Sequence, residues 1–253
     1  MRLSPSRLID DALAPAPRPE RVAWLAERPF AHRGLHGEGR AENSRSAFAA
    51  AIAAGHGIEL DVRLSLDGFA VVFHDADLDR LTNERGPVAL RTAAQLSRIR
   101  LRGSSDTIET LSDVVASRPP DVPLLIEIKA SGRRVGRLCL ATHRALEGST
   151  RRVAVMSFNP DVPRWFARHA PRITRGLVVT EAGRRWRGPI ERRLALWRSR
   201  PDFLAYDIRD LPSRFAAAQR ARGLPVLTWT CRSEADRAAA ALHADQIIYE
   251  APA

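Results

Sequence analysis

Ile58-Glu59-Leu60-Asp61-Val62 is the stretch on which the reading of this chain turns. Apolar and acidic residues alternate strictly, which is the period of a β-strand: Glu59 and Asp61 share one face, and Ile58, Leu60 and Val62 the other. Leu125-Ile126-Glu127-Ile128-Lys129 repeats the pattern, with Glu127 and Lys129 on one face and Ile126 and Ile128 opposite. Strands with one apolar and one charged face fit a barrel, in which the apolar face packs on outer helices and the charges point inward.

The rest of the chain supports closure. Short apolar runs at 30–33, 57–62, 70–74, 124–129, 153–158, 175–179, 203–208, 225–230 and 246–249 read as strands. Amphipathic stretches at 44–54, 111–117, 135–146, 190–198 and 213–222 lie between them. Strand–helix alternation at this pitch predicts a parallel sheet, and about eight such units predict an α/β fold of the TIM-type (β/α)8 barrel kind. Two features depart from the ideal. The link from Val62 to Ala70 is too short for a crossover helix and must turn irregularly at Asp67-Gly68. Nine strand candidates also exceed eight, so one is accessory. Residues 1–28 read as a Pro-rich lead-in with a short helix at 20–27, residues 29–253 as the barrel, and residues 76–110 as an inserted lobe.

Composition narrows the class. The chain has 253 residues, 45% of them hydrophobic, enough to bury a large core. No apolar run approaches the ~18 residues of a membrane span. The N-terminus lacks the ~7–15-residue apolar stretch of a signal peptide. With Cys139 and Cys231 outside any metal or redox spacing, the expectation is a cytoplasmic protein with reduced thiols and no stable membrane insertion. The net charge of +11 is spread over the whole chain without a nucleic-acid-binding motif, so no nucleic-acid partner is expected. Lys129 is the only lysine in a chain that otherwise uses arginine.

Buried inward carboxylates need a cation or basic partners. Oxygen ligands at Glu59, Asp61 and Glu127 suit Mg2+, Ca2+ or Mn2+, and Lys129 would present a positive charge to a phosphate. A salt-bridge layer inside the barrel is the plainer alternative for the acidic pair, as is a local ion pair for Glu127 and Lys129. His32 and His74 fall at strand C-terminal ends, the edge where (β/α)8 proteins place catalytic groups. His36, His56, His143, His169 and His243 have no comparable setting and read as ordinary residues.

These pieces occur in an order that resembles the glycerophosphodiester phosphodiesterase family: His32-Arg33-Gly34, Glu42-Asn43, Glu59-Leu60-Asp61-Val62, Asp67-Gly68, Val71-Val72-Phe73-His74-Asp75 and Glu127-Ile128-Lys129. Leu78-Asp79-Arg80-Leu81-Thr82, Ser157-Phe158 and Trp229 within Leu227-Thr228-Trp229-Thr230 add to the likeness, which runs from about residue 30 to 250. The resemblance implies Glu59, Asp61 and Glu127 as metal ligands and His32 and His74 as an acid–base pair. It also implies Arg33, Glu42, Asn43, Lys129 and Trp229 around the substrate. The implied reaction is hydrolysis of a glycerophosphodiester to glycerol 3-phosphate and an alcohol, with the glycerol 2-hydroxyl attacking first. Departures fall at Ala41 and Ser44, at Cys231-Arg232 and at Tyr249-Glu250.

Two other functions share much of this pattern. A lipid-cleaving, lysophospholipase D-like relative would use the Arg184-Arg185-Trp186-Arg187 run, with Ile190, Leu194 and Trp197, as an interfacial helix. A non-catalytic phosphoester-binding barrel would not need both histidines and all three carboxylates.

Overall fold

The computed structural model describes residues 5–37, 39–149, 152–182 and 188–251. Its strands are β1 (Phe30–Ala31), β2 (Gly57–Leu64), β3 (Ala70–Val72), β4 (Leu124–Ile128), β5 (Val153–Ser157), β6 (Thr174–Val179), β7 (Phe203–Asp207), β8 (Val226–Cys231) and β9 (Gln246–Tyr249). All except β3 pair in parallel, and β1 closes the ring by pairing with both β2 and β9. Helices Arg45–Ala53, Leu111–Ser117, Gly136–Ala145, Asp161–His169, Gly188–Ser199, Arg214–Arg220 and Glu234–His243 fill the links between successive staves. Several start on a side-chain cap: Ser44, Thr110, Ser213 and Ser233 each accept a backbone N–H from the first turn. The fold is the TIM-type (β/α)8 barrel.

The accessory strand is β3. The chain leaves the ring along β2, reverses at Asp67-Gly68, where Gly68 takes φ +89°, and returns antiparallel with Val72 opposite Val62. His74 therefore reaches the mouth on a returning arm and not at the end of a barrel stave. Downstream, Phe73, Leu78, Val88, Leu96, Leu101 and Ile108 form an apolar cluster of their own. The first stave is also shorter than its apolar pattern suggests. It ends at Ala31, and His32 and Arg33 sit in the turn that follows.

Strand periodicity sorts the side chains. Ile58, Leu60, Val62, Ile126 and Ile128 face outward, where they pack with helix residues such as Phe48 and Phe166. Inside, Phe30, Leu125, Ala154, Phe203 and Leu227 fill the N-terminal half, which Val22 and Leu25 from the preceding segment seal. That half is full: a Cβ on Gly57 would lie 2.6 Å from the Phe30 ring, and one on Gly176 would lie within the Phe203 ring's contact surface. These glycines make room for the two aromatic rings, so solvent and substrate reach the interior from the opposite, C-terminal end.

Helix Pro5–Leu13 docks on the outside. Asp10 accepts from the Trp197 indole at 2.8 Å and from Gln219 at 3.0 Å, and the buried Arg222 pairs with Asp11 at 2.8 Å. Helix Gly188–Ser199 buries Leu196 and leaves Ile190 and Leu194 exposed. The Arg184–187 run before it lies outside the described residues. Among the described residues no helix is long and apolar enough to cross a membrane.

Gly176→Val should destabilise the protein by about 1–3 kcal/mol, the usual cost of overpacking a filled interior. An unchanged thermal midpoint for that variant would contradict the packing described for the closed end.

Candidate active site

The open end of the barrel holds a cavity of about 460 Å³ whose walls include His32, Glu59, His74, Glu127, Lys129 and Trp229. Arg33 lines it too. Asp61, Asn43 and Glu42 stand behind and brace these groups. All ten residues singled out from the sequence are thus brought to one place. The register explains how. Asp61 lies opposite Glu127 across the β2–β4 pair, and Glu59 lies one inward position below Asp61.

Three carboxylates meet here. Glu59, Asp61 and Glu127 each offer an oxygen, all within 4.8 Å of one another. Glu59 and Asp61 have side chains 1% and 0% exposed, so water does little to separate their charges. Burial, reinforced by Asp61 and Glu127, raises the Glu59 pKa well above the usual carboxylate range. Burial and Asp61 also raise Glu127, against the pull of Lys129. For Asp61, burial acts in the same direction but is outweighed by Lys129 and Arg33, which hold its pKa low. Lys129 Nζ stands 3.0 Å from Asp61 Oδ1 and 2.7 Å from Glu127 Oε1. Arg33 Nε lies 3.3 Å from Asp61 Oδ2.

Two buried oxygens are left over. Glu59 Oε1 has no hydrogen-bond partner, and Asp61 Oδ1, though close to Lys129, lacks an aligned one. Buried acceptors of this kind are seldom left unsatisfied. A compact set of carboxylate oxygens with unused lone pairs fits a hard divalent cation.

The turn after β1 and the start of the next helix are shaped around this cluster. Arg33 and Asn43 both adopt φ +55°, a left-handed conformation that costs a non-glycine residue about 1 kcal/mol or more. The return is positional. The Arg33 backbone N–H donates to Glu59 Oε2 at 3.0 Å, and its guanidinium donates to Glu42 Oε1 at 2.8 Å. The Asn43 amide donates to Asp61 Oδ2 at 2.9 Å while its carbonyl accepts the Asp61 backbone N–H at 3.1 Å.

Each histidine has a carboxylate behind it. His32 Nδ1–H donates to Glu250 Oε1 at 2.6 Å, and its Nε2 lies 3.9 Å from Glu59 Oε2. His74 Nδ1–H donates to Asp75 Oδ1 at 2.6 Å. Burial lowers the His74 pKa. Partial burial opposes ionisation of Asp75 and Glu250, but it is overcome in both. Bonds from Arg80 and His74 bring Asp75 down to about 2, and bonds from His32 and Arg232 hold Glu250 low as well. With Nδ1 engaged, each ring offers Nε2 as its free nitrogen.

Sequence reasoning passed over four residues. Glu250 and Arg232 read there only as departures from a pattern, yet Arg232 Nε donates to Glu250 Oε2 at 2.6 Å behind His32. Arg80 donates to Asp75 Oδ2 at 2.6 Å and to Glu42 Oε1 at 2.7 Å, tying together the two loops that carry the histidines. His36 looks ordinary in the sequence, but its Nε2 is buried without a partner, 4.0 Å from Glu250 Oε1. None lies on a strand pattern, so only their neighbours reveal them. On the far wall Trp229 donates its indole N–H to Ala205 and meets Phe158 edge-to-face at 5.5 Å between centroids.

Fold and site together define a (β/α)8 barrel with a cation-competent acidic centre, flanked at its mouth by two histidine–carboxylate pairs. The chain belongs to the glycerophosphoryl diester phosphodiesterase family, whose model matches residues 32–253. The protein YqiK of Bacillus subtilis is 34% identical over 165 residues, which are 60% of this chain and 66% of that protein, just under two thirds of its length. A glycerophosphodiester phosphodiesterase structure from Thermotoga maritima superposes with a TM-score of 0.72 at 26% identity, over 87% of this chain and 92% of that one. An Oleispira antarctica phosphodiesterase, solved with the product sn-glycerol-3-phosphate, superposes with a TM-score of 0.75 at 22% identity, over 89% and 94%.

The opposite shifts of Glu59 and Asp61 predict opposite mutational signs in metal-free protein at neutral pH. Glu59→Gln removes a charge the fold disfavours and should raise the melting temperature. Asp61→Asn removes one that Lys129 and Arg33 favour and should lower it. Each change should reach about 2 °C, roughly 1 kcal/mol for a chain of this size. Melts in chelator that move both variants in the same direction would refute this charge assignment.

Proposed function

We propose that this protein hydrolyses glycerophosphodiesters to glycerol 3-phosphate and an alcohol. The observation that carries the reading is the convergence at one cavity of His32 and His74, each oriented by a carboxylate, around the buried Glu59–Asp61–Glu127 cluster. Family membership supports the reaction class, and the product held by the Oleispira antarctica relative supports the substrate class.

Glu59, Asp61 and Glu127 would hold a divalent cation, Mg2+, Ca2+ or Mn2+, which when bound supplies Lewis-acid charge to the phosphoryl group. Arg33 and Lys129 add fixed positive charge where negative charge grows on the phosphoryl oxygens. Their carboxylate partners keep both cations in place before substrate arrives, so little reorganisation is needed during the reaction. Glu42 and Asn43 hold Arg33 and Asp61 in register. One histidine takes the proton of the attacking glycerol 2-hydroxyl through Nε2, the other returns one to the departing alcohol oxygen, and water then opens the resulting cyclic phosphate to glycerol 3-phosphate. Trp229 and Phe158 form the aromatic side of the pocket. Cys139 and Cys231, buried and unbridged, accord with a cytoplasmic setting.

The deciding experiment is release of glycerol 3-phosphate from a panel of diesters, including lysophospholipids, with metal removed and restored. Chelator should abolish turnover and Mg2+, Ca2+ or Mn2+ should restore it. Preference for a lysophospholipid would favour a lipid-cleaving enzyme, and binding without turnover would make the barrel a phosphoester-binding module. His32→Ala and His74→Ala should each lower kcat by at least ~100-fold, and near-normal turnover removes that histidine from the mechanism.

Lys129→Arg should be damaging in a chain that uses arginine everywhere else. The ammonium fits between Asp61 and Glu127 at 3.0 and 2.7 Å, where a planar guanidinium fork is too wide. A kcat/KM within a factor of about two of wild type, ~0.4 kcal/mol, would end the case for a specific lysine.

A further inference from the structure

A second group of metal-competent side chains stands beside the acidic cluster and shares none of its residues. His32, His36 and Glu250 each offer a ligand atom within 4.8 Å of the others. His32 and His36 come from the turn after β1, four positions apart, and Glu250 follows β9, the neighbouring stave. Glu250 Oε1 lies between the rings, 2.6 Å from His32 Nδ1 and 4.0 Å from His36 Nε2. His36 Nε2 is fully shielded from water and has no hydrogen-bond partner, so its polar atom points into this gap unsatisfied.

We propose that His32, His36 and Glu250 form an inhibitory site for Zn2+, distinct from the hard-cation site at Glu59, Asp61 and Glu127. The donor chemistry separates the two. Two imidazoles and one carboxylate match the three-protein-ligand sets that bind zinc with a fourth position open, whereas an all-carboxylate set suits Mg2+, Ca2+ and Mn2+. Only small movements are needed. Zinc–nitrogen and zinc–oxygen bonds of about 2.0–2.2 Å require the short contact to open and the long one to close, each by less than the width of an atom.

The consequence rests on the role given above to His32. Nδ1 now donates its proton to Glu250, leaving Nε2 free toward the cavity. Zinc bound at Nδ1 takes the lone pair there, and the one ring proton shifts by way of solvent from Nδ1 to Nε2, so the ring stays neutral with Nε2 protonated. A ring held in this way cannot pass between neutral imidazole and imidazolium, so it serves neither as general base nor as general acid. Zinc would also take Glu250 from its hydrogen bond with His32, leaving Arg232 as its remaining partner. His36 itself has no part in the proposed reaction, so its loss should disable the inhibitory site alone.

The test has a binding arm and an activity arm. Calorimetric titration of metal-stripped protein with Zn2+, repeated in excess Mg2+, should show one zinc that Mg2+ does not displace. His36→Gln and His36→Asn, either of which serves if the other folds poorly, should weaken that zinc at least about tenfold. In the glycerol 3-phosphate assay with saturating Mg2+, zinc should inhibit wild type. The His36 variants should keep basal kcat within about twofold and need at least about tenfold more zinc for half-inhibition. Displacement of the zinc by Mg2+ would place it in the carboxylate site and overturn the proposal, as would wild-type zinc affinity in both variants. If zinc binds as expected but no diester is turned over, the site stands and the reading of the reaction fails.

Discussion

The mouth of this barrel is organised by the repulsion among Glu59, Asp61 and Glu127. Unit charges on carboxylate oxygens within 4.8 Å repel by at least about 3.5 kcal/mol per pair at an effective dielectric constant near 20. Three such pairs approach the whole net stability of an ordinary domain, about 5–15 kcal/mol. The protein answers in two ways. Lys129 and Arg33 bring positive charge within 3.3 Å of the cluster, and Glu59, which has the weaker compensation, is pushed toward the protonated state. With Glu59 ionised, three acids against two fixed cations leave a site charged to receive one more cation, which ties the local electrostatics to the proposed chemistry.

Holding that cluster dictates unusual structure around it. The left-handed turns at Arg33 and Asn43 would be a liability in a loop with nothing to hold, but here each fixes a carboxylate oxygen at 3.0 and 2.9 Å. Arg80 extends the network outward by joining Glu42, which braces Arg33, to Asp75, which orients His74. The irregular β2–β3 arm has a role in the same arrangement. By folding back it returns His74 to the level of Asp61, whose carbonyl accepts the Phe73 N–H at 3.0 Å. A regular crossover helix would have carried that histidine around the outside of the barrel.

The closed end shows the opposite economy. Phe30 and Phe203 fill it, and Gly57 and Gly176 yield the space their rings occupy. A packed floor and a charged mouth within one ring of strands follow from a single periodicity. Inward positions near strand starts are apolar, and those near the ends of β2, β4 and β7 carry the acids Glu59, Asp61, Glu127 and Asp207.

That periodicity is why so much was legible in the sequence. Alternation in 58–62 and 125–129 set the inward faces, and strand–helix alternation set the barrel, because both depend only on local geometry and burial. The order of short motifs then pointed to the family and to ten residues, of which seven line one cavity and Glu42, Asn43 and Asp61 brace it from behind. Other features depended on contacts between distant segments. Ala70–Val72 carries the same apolar signature as a stave, and only its antiparallel pairing shows that it lies outside the ring. Glu250 and His32 are 218 positions apart, and Arg80 and Glu42 are 38 apart, so no local pattern could bring either pair together. His36 looked like any loop histidine until ring closure between β1 and β9 set Glu250 beside it. Local spacing decided which side chains face inward, and only closure of the barrel decided which of them touch.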